Sequence, residues 1–86
     1  MKKEIKLLRS QARKLEPVAR IGKNGLTEGA IKEIDKILEK RNLIKIKLLM
    51  PSYIGRDKKG IVKELVMKTR SQLVDSVGSV VVIYRP

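Results

Sequence analysis

Residues 22 to 25 read Gly-Lys-Asn-Gly, and a run with helical character, "LTEGAIKEIDKILEK", follows at once. Two glycines three apart permit positive φ and let the backbone come close to a partner without interference from a Cβ. Amides in such a turn and at a helix start point outward, where they can donate to phosphate oxygens. Lys23 adds a mobile positive charge, and Asn24 adds a donor and an acceptor. The chemistry this stretch suits is holding an anion rather than making or breaking a bond. A tight turn needs glycine for its geometry whether or not anything binds, so the spacing by itself leaves both readings open.

A G-x-x-G loop with a basic residue inside is the clamp that KH domains close on an RNA backbone. Other phosphate loops fit worse. A Walker A loop needs G-x-x-x-x-G-K-[ST], whereas Lys23 here follows the first glycine directly; the Rossmann spacing also fails, because Gly22, Gly25 and Gly29 stand three and four apart. Gly29 reads instead as a residue that permits close packing where the helix begins. The chain has neither His nor Cys. That removes His-dependent triads, thiol nucleophiles and the common zinc sites, leaving only carboxylates and lysine. Glu28, Glu33, Asp35 and Glu39 share one helical stretch, but the interleaved lysines make it a solvated charged face. The expectation is a binding protein and not an enzyme, with no cofactor, metal or small-molecule substrate.

Charge names the kind of partner. Lys and Arg number 21 against 9 Asp and Glu, a formal net charge of +12. Residues 1–25 contain eight basic and two acidic side chains, residues 26–42 four of each, and residues 43–86 nine against three. A neutral middle between two segments of +6 suggests that folding gathers cations on one side, as a polyanion binder requires. Aromatic side chains are limited to Tyr53 and Tyr84. Single-strand readers stack bases on aromatic platforms, so this composition favours phosphates, sugars and the shape of structured RNA. Tyr53 reads as ordinary loop surface and Tyr84 as partly core.

The elements that position the loop follow from periodicity. In residues 2–15, Ile5, Leu8, Ala12 and Leu15 make one helical face, with Lys2, Lys6, Arg9 and Arg13 beside it. Pro17 ends that helix, and "PVARI" reads as a short strand delivering the chain to Gly22. Thr27 caps a second helix to about Arg41, with Ala30, Ile31, Ile34, Ile37 and Leu38 inward. In "LIKIKLL", residues 43–49, Ile44, Ile46 and Leu48 alternate with Lys45 and Lys47, predicting a strand with one buried and one wet face. A loop over residues 50–60 follows, then a helix over about 58–70, capped by Asp57, with Ile61, Val62, Leu65, Val66 and Thr69 inward. "QLVDSV" and "VVVIYR" flank Gly78–Ser79 as a hairpin. The order is α-β-α-β-α-β-β in one α/β domain over residues 1–86. One sheet buries an apolar face under amphipathic helices.

"ARKLEPVARIGKNGLTEGAIKEIDKILEKRNLIKIKL" together with the closing "VVVIYRP" resembles the CRM-domain family (chloroplast RNA splicing and ribosome maturation), whose stand-alone bacterial members are the YhbY proteins. The likeness runs from "LLRSQA" to the terminal "YRP". It implies a four-stranded mixed sheet similar to the C-terminal domain of bacterial translation initiation factor three. It also implies RNA binding through the glycine loop and association with precursors of the large ribosomal subunit. Carried onto this chain, the loop is Gly22, Lys23, Asn24 and Gly25. Arg9 in "LRS", Arg20 before the loop and Arg85 in "YRP" are neighbouring contacts, and Arg13 and Lys14 complete the basic surround. The chain departs from the family pattern in its longer, more basic 50–60 loop and in "RSQLVDS", where a glycine usually follows helix three. The expected protein is a cytoplasmic, monomeric binder of ribosomal RNA that stays off membranes. The alternative is a structural ribosomal protein or a binder of another structured RNA.

Overall fold

A proline, a glycine loop and a hairpin turn divide the chain where its periodicity changes. A computed structural model describes residues 2–22, 25–49 and 58–86. They form α1 (Lys2–Ala12), β1 (Ala19–Ile21), α2 (Glu28–Lys40), β2 (Leu43–Leu48), α3 (Lys58–Thr69), β3 (Gln72–Val77) and β4 (Val80–Tyr84). The order is the one that periodicity predicts. The expected Asp57 cap and the surface role of Tyr53 lie outside the described residues.

Helix α1 ends three residues earlier than its apolar spacing suggests. The Lys14 and Leu15 amides bond back to the Gln11 and Ala12 carbonyls at 3.2 and 3.0 Å, a three-residue closure that tightens the last turn. Pro17 drives the chain into extended backbone just beyond it. At α2, Thr27 is extended (φ −75°, ψ 163°) and its hydroxyl accepts the Ala30 amide at 3.1 Å. That bond satisfies one of the donors every helix start leaves over.

The sheet order is β1-β2-β4-β3. Strands β1 and β2 are parallel and joined by α2, while β4 inserts antiparallel to both β2 and β3. Gly78 takes φ +58° in the β3–β4 turn, where L side chains are strained. On one face, Ile21, Ile44, Ile46, Leu48, Val81 and Ile83 meet Ile34 and Leu38 of α2 and Val62 and Leu65 of α3 in the main core. Truncating one of these side chains, Ile46→Ala for instance, removes apolar contacts that no neighbour can replace and costs about 2–5 kcal/mol.

The second face is not simply wet. Leu8 and Ala12 of α1 pack there against Val74, Val82, Leu43 and Tyr84. Strand β4, "VVVIY", is apolar at every position, which is how strands buried on both faces read. Val82 and Tyr84 therefore need cover just as Val81 and Ile83 do. The β3–β4 register shifts between Leu73 and Asp75, and Val74, the residue at the irregularity, is buried in this second cluster. Tyr84 is partly core, as its place in the last strand suggests.

Candidate nucleic-acid interface

Strand β1 ends at Ile21, whose carbonyl accepts the Leu49 amide at 2.9 Å, and the chain leaves the sheet at Gly22. The loop closes on itself: the Gly25 amide donates to the Gly22 carbonyl at 3.0 Å, and the Thr27 amide donates to the Gly25 carbonyl at 3.0 Å. Lys23 and Asn24 lie outside the described residues. Gly25 takes φ +69° and so needs glycine for its conformation. Gly22 does not. Among the described residues a Cβ there would meet Leu49 Cδ1 at 3.9 Å, an ordinary contact. Spacing cannot separate these two glycines, because it carries no dihedral angle.

The closure corrects the picture of a loop whose amides all face outward. The Gly25, Thr27 and Ala30 amides are bonded within the loop and cap. Those of Leu26, Glu28 and Gly29 have no partner among the described residues. The packing role expected for Gly29 fails as well. It is exposed, and the nearest atom to a Cβ placed on it is the Thr27 hydroxyl at 3.9 Å.

Part of the positive charge lies on the face that α1 shares, while Lys58, Lys59 and Lys63 of α3 line a groove on the other side of the sheet. Ala19 and Ile21 point into the main core, so Arg20 between them points to the other side and is exposed. Its Cα partner in the parallel register is Lys47, also exposed. Arg9 and Arg13 at the end of α1 line a groove of about 330 Å³ with Lys45, Asp75, Val77 and Val80. Lys14 lines a second groove of about 310 Å³ that also includes Lys45, with Arg41 and Glu16. Arg9 has a structural duty besides, since its Nε donates to the Val74 carbonyl at 2.9 Å and ties α1 to β3. The period-two pattern of β2 placed Lys45 and Lys47 opposite the core. It gave no sign that helix α1 would bring Arg9, Arg13 and Lys14 alongside them.

Arg85 stands apart. It follows β4 at the end of the sheet opposite Gly22, and its side chain is only 20% exposed. Its guanidinium pairs with the Asp35 carboxylate and donates to the carbonyls of Thr69 at 2.8 Å and Asp35 at 3.0 Å. Its own backbone is held by Asn42 at 2.8 Å through both main chain and side chain. A side chain with its donors committed to α2 and α3 is a latch between them, so Arg85 does not belong with the basic surround. Asp35, still half exposed, is thus tied to Arg85 rather than simply solvated, whereas Glu28, Glu33 and Glu39 are exposed. Among the described residues no three His, Cys, Asp or Glu side chains come together as a metal site would need. No helix among them is long and apolar enough to cross a membrane.

Residues 1–85 match the family model of the CRS1 / YhbY (CRM) domain. The chain belongs to that family. Over 83 residues this CRM domain is 39% identical to the probable RNA-binding protein YqeI of Bacillus subtilis, a match spanning 96% of this chain and 84% of that one. It is 37% identical over 87 residues to an RNA-binding protein of Haemophilus influenzae, spanning 98% of this chain and 83% of the relative. The solved structure of SAV1595 from Staphylococcus aureus superposes with a TM-score of 0.83 at 43% identity, covering this CRM domain completely and 88% of SAV1595. The four-stranded mixed sheet with three helices is thus a fold that a close relative shares.

Proposed function

We propose that this CRM domain binds RNA without acting on it chemically, and that its target is ribosomal RNA in precursors of the large subunit. The observation that carries the RNA reading is the convergence of Arg9, Arg13, Lys14 and Arg20 on one face, with Arg20 next but one to the Gly22 that opens the loop. That relatives of similar length are named RNA-binding proteins supports it. The ribosomal target rests on the family resemblance of "IGKNGLT", "LIKIK" and "YRP". In this reading Lys23 and Asn24 reach phosphate or sugar, the amides at the start of α2 that have no partner among the described residues add donors, and the arginines supply the surrounding field. Gly22 has no side chain to hold the backbone away from the ligand, and the fold itself does not ask for a glycine there.

Ultraviolet crosslinking in cells, followed by sequencing of the attached RNA, tests target and loop together. The comparison is between the natural chain and a Lys23→Ala, Gly22→Asp double variant. Crosslinks concentrated on large-subunit precursors and lost in the variant are expected. Crosslinks spread over unrelated RNAs would remove the ribosomal target, and crosslinks indifferent to the variant would remove the loop. In vitro, each neutralised phosphate contributes a log–log salt slope of about −0.7 to −0.9, so affinity falls steeply between 50 and roughly 200 mM salt.

A further inference from the structure

Helix α1 covers only part of its sheet face. It packs over Leu43, Tyr84, Val82 and Val74 and leaves the neighbouring row uncovered by its cluster. That row crosses all four strands: Arg20 pairs with Lys47, Lys47 with Val80, and Val80 with Val77. Arg20 and Lys47 are exposed, and Val77 is 67% exposed. Lys45 points to the same side two residues back along β2, at the border with the groove under Arg9 and Arg13. Neighbouring strands lie about 4.8 Å apart and alternate residues of a strand about 6.7 Å, so the Cα atoms of the three cationic residues make a small triangle. They are rooted in a sheet rather than in loops, which fixes where each side chain starts.

The row has no aromatic residue. Tyr84, the aromatic among the described residues, sits at the far end of the face in the α1 cluster. Among the described residues, bases of an unpaired strand therefore find no aromatic platform on this row. A double helix needs none, because A-form RNA is recognised through phosphates and 2′-hydroxyls across its shallow groove. We propose that Arg20, Lys45 and Lys47 form a second RNA contact that takes the sugar–phosphate backbone of a double-helical segment, beside whatever strand the glycine loop holds. This rests on the RNA-binding reading and adds the class of RNA to it.

The test uses the full chain with two labelled RNAs of equal length, a perfect hairpin stem and an unpaired sequence, titrated by fluorescence anisotropy from 50 to 200 mM KCl. The Lys45→Gln, Lys47→Gln variant is expected to bind the stem about tenfold more weakly at 100 mM, with a salt slope shallower by about 1 to 2, as for two lost phosphate contacts. Its affinity for the unpaired RNA should change less than twofold. Should that variant fold poorly, Val77→Glu places a repelling charge in the same row at an exposed position and should weaken stem binding selectively. A folded variant with unchanged stem affinity and slope overturns the proposal, and so does equal weakening on both RNAs. Gly22→Asp separates the two readings: if it weakens binding while the lysine variant does not, the loop stands and the row falls. If the natural chain binds neither RNA, the RNA reading itself fails.

Discussion

The two ends of the sheet each present an arginine next to a short sequence signature, and the structure uses them in opposite ways. At the end where β1 and β2 finish, Arg20 faces solvent beside Lys47 with no partner among the described residues. At the other end, Arg85 is mostly covered and bonded to Asp35 and to the last carbonyl of α3. One arginine is available to a ligand, and the other holds two helices to the end of β4. The difference lies in what surrounds each guanidinium. A carboxylate and two carbonyls within reach turn a cation inward, whereas lysines on the neighbouring strand turn it into part of a field.

Of the two ends, breaking the inward one should have the larger effect on stability. Arg85→Ala leaves the Thr69 carbonyl without its donor and frees Asp35. Because Asp35 is half exposed, the ion pair itself adds little, and a loss of about 2 kcal/mol is expected from the urea midpoint. RNA affinity measured where the variant is still folded should be unchanged; a large loss there would move Arg85 to the ligand side of the comparison. At the outward end the pattern reverses. Gly22→Asp should weaken RNA binding at least tenfold, about 1.4 kcal/mol, while shifting the unfolding midpoint little, since among the described residues a Cβ meets only ordinary contact. Equal affinity in that variant would detach the loop from binding.

Two smaller changes sharpen the contrast through helix ends. Thr27→Ala removes the cap that follows the glycine loop and should cost about 1 kcal/mol in thermal or urea unfolding. Arg70 ends α3 at φ +53°, with its own amide on the Met67 carbonyl at 3.3 Å and the Ser71 amide on the Val66 carbonyl at 3.1 Å. This is the left-handed helix ending that glycine usually serves. Arg70→Gly should therefore stabilise the fold by about 0.5–1 kcal/mol, read as a raised midpoint. A lowered midpoint would mean the arginine side chain contributes more than its backbone strain costs.

Local signals in the chain carried far. The helical stripe Ile34–Leu38, the alternation in β2, the Thr27 cap and the Gly78 turn are each determined by residues within a few positions of one another, so periodicity and cap chemistry locate them. The side of the sheet that α1 covers is different. An amphipathic stripe says that a helix packs, not on which face, though the unbroken "VVVIY" of β4 was a sign that both faces needed cover. Arg85 and Asp35 are 50 positions apart, and nothing local joins them. The missing glycine after α3 was visible, yet only the backbone shows that Arg70 bends as a glycine would.

Strand β1 has three residues, and its parity links two properties usually free to change separately. Ile21 is fully buried while Arg20 beside it looks outward. A one-residue slip of β1 along β2 turns both over together, driving a guanidinium into the core and an isoleucine to the surface. A two-residue slip restores the alternation. The buried isoleucine thus holds its neighbour outward, so that the packing of one face sets the register in which the other presents its charge.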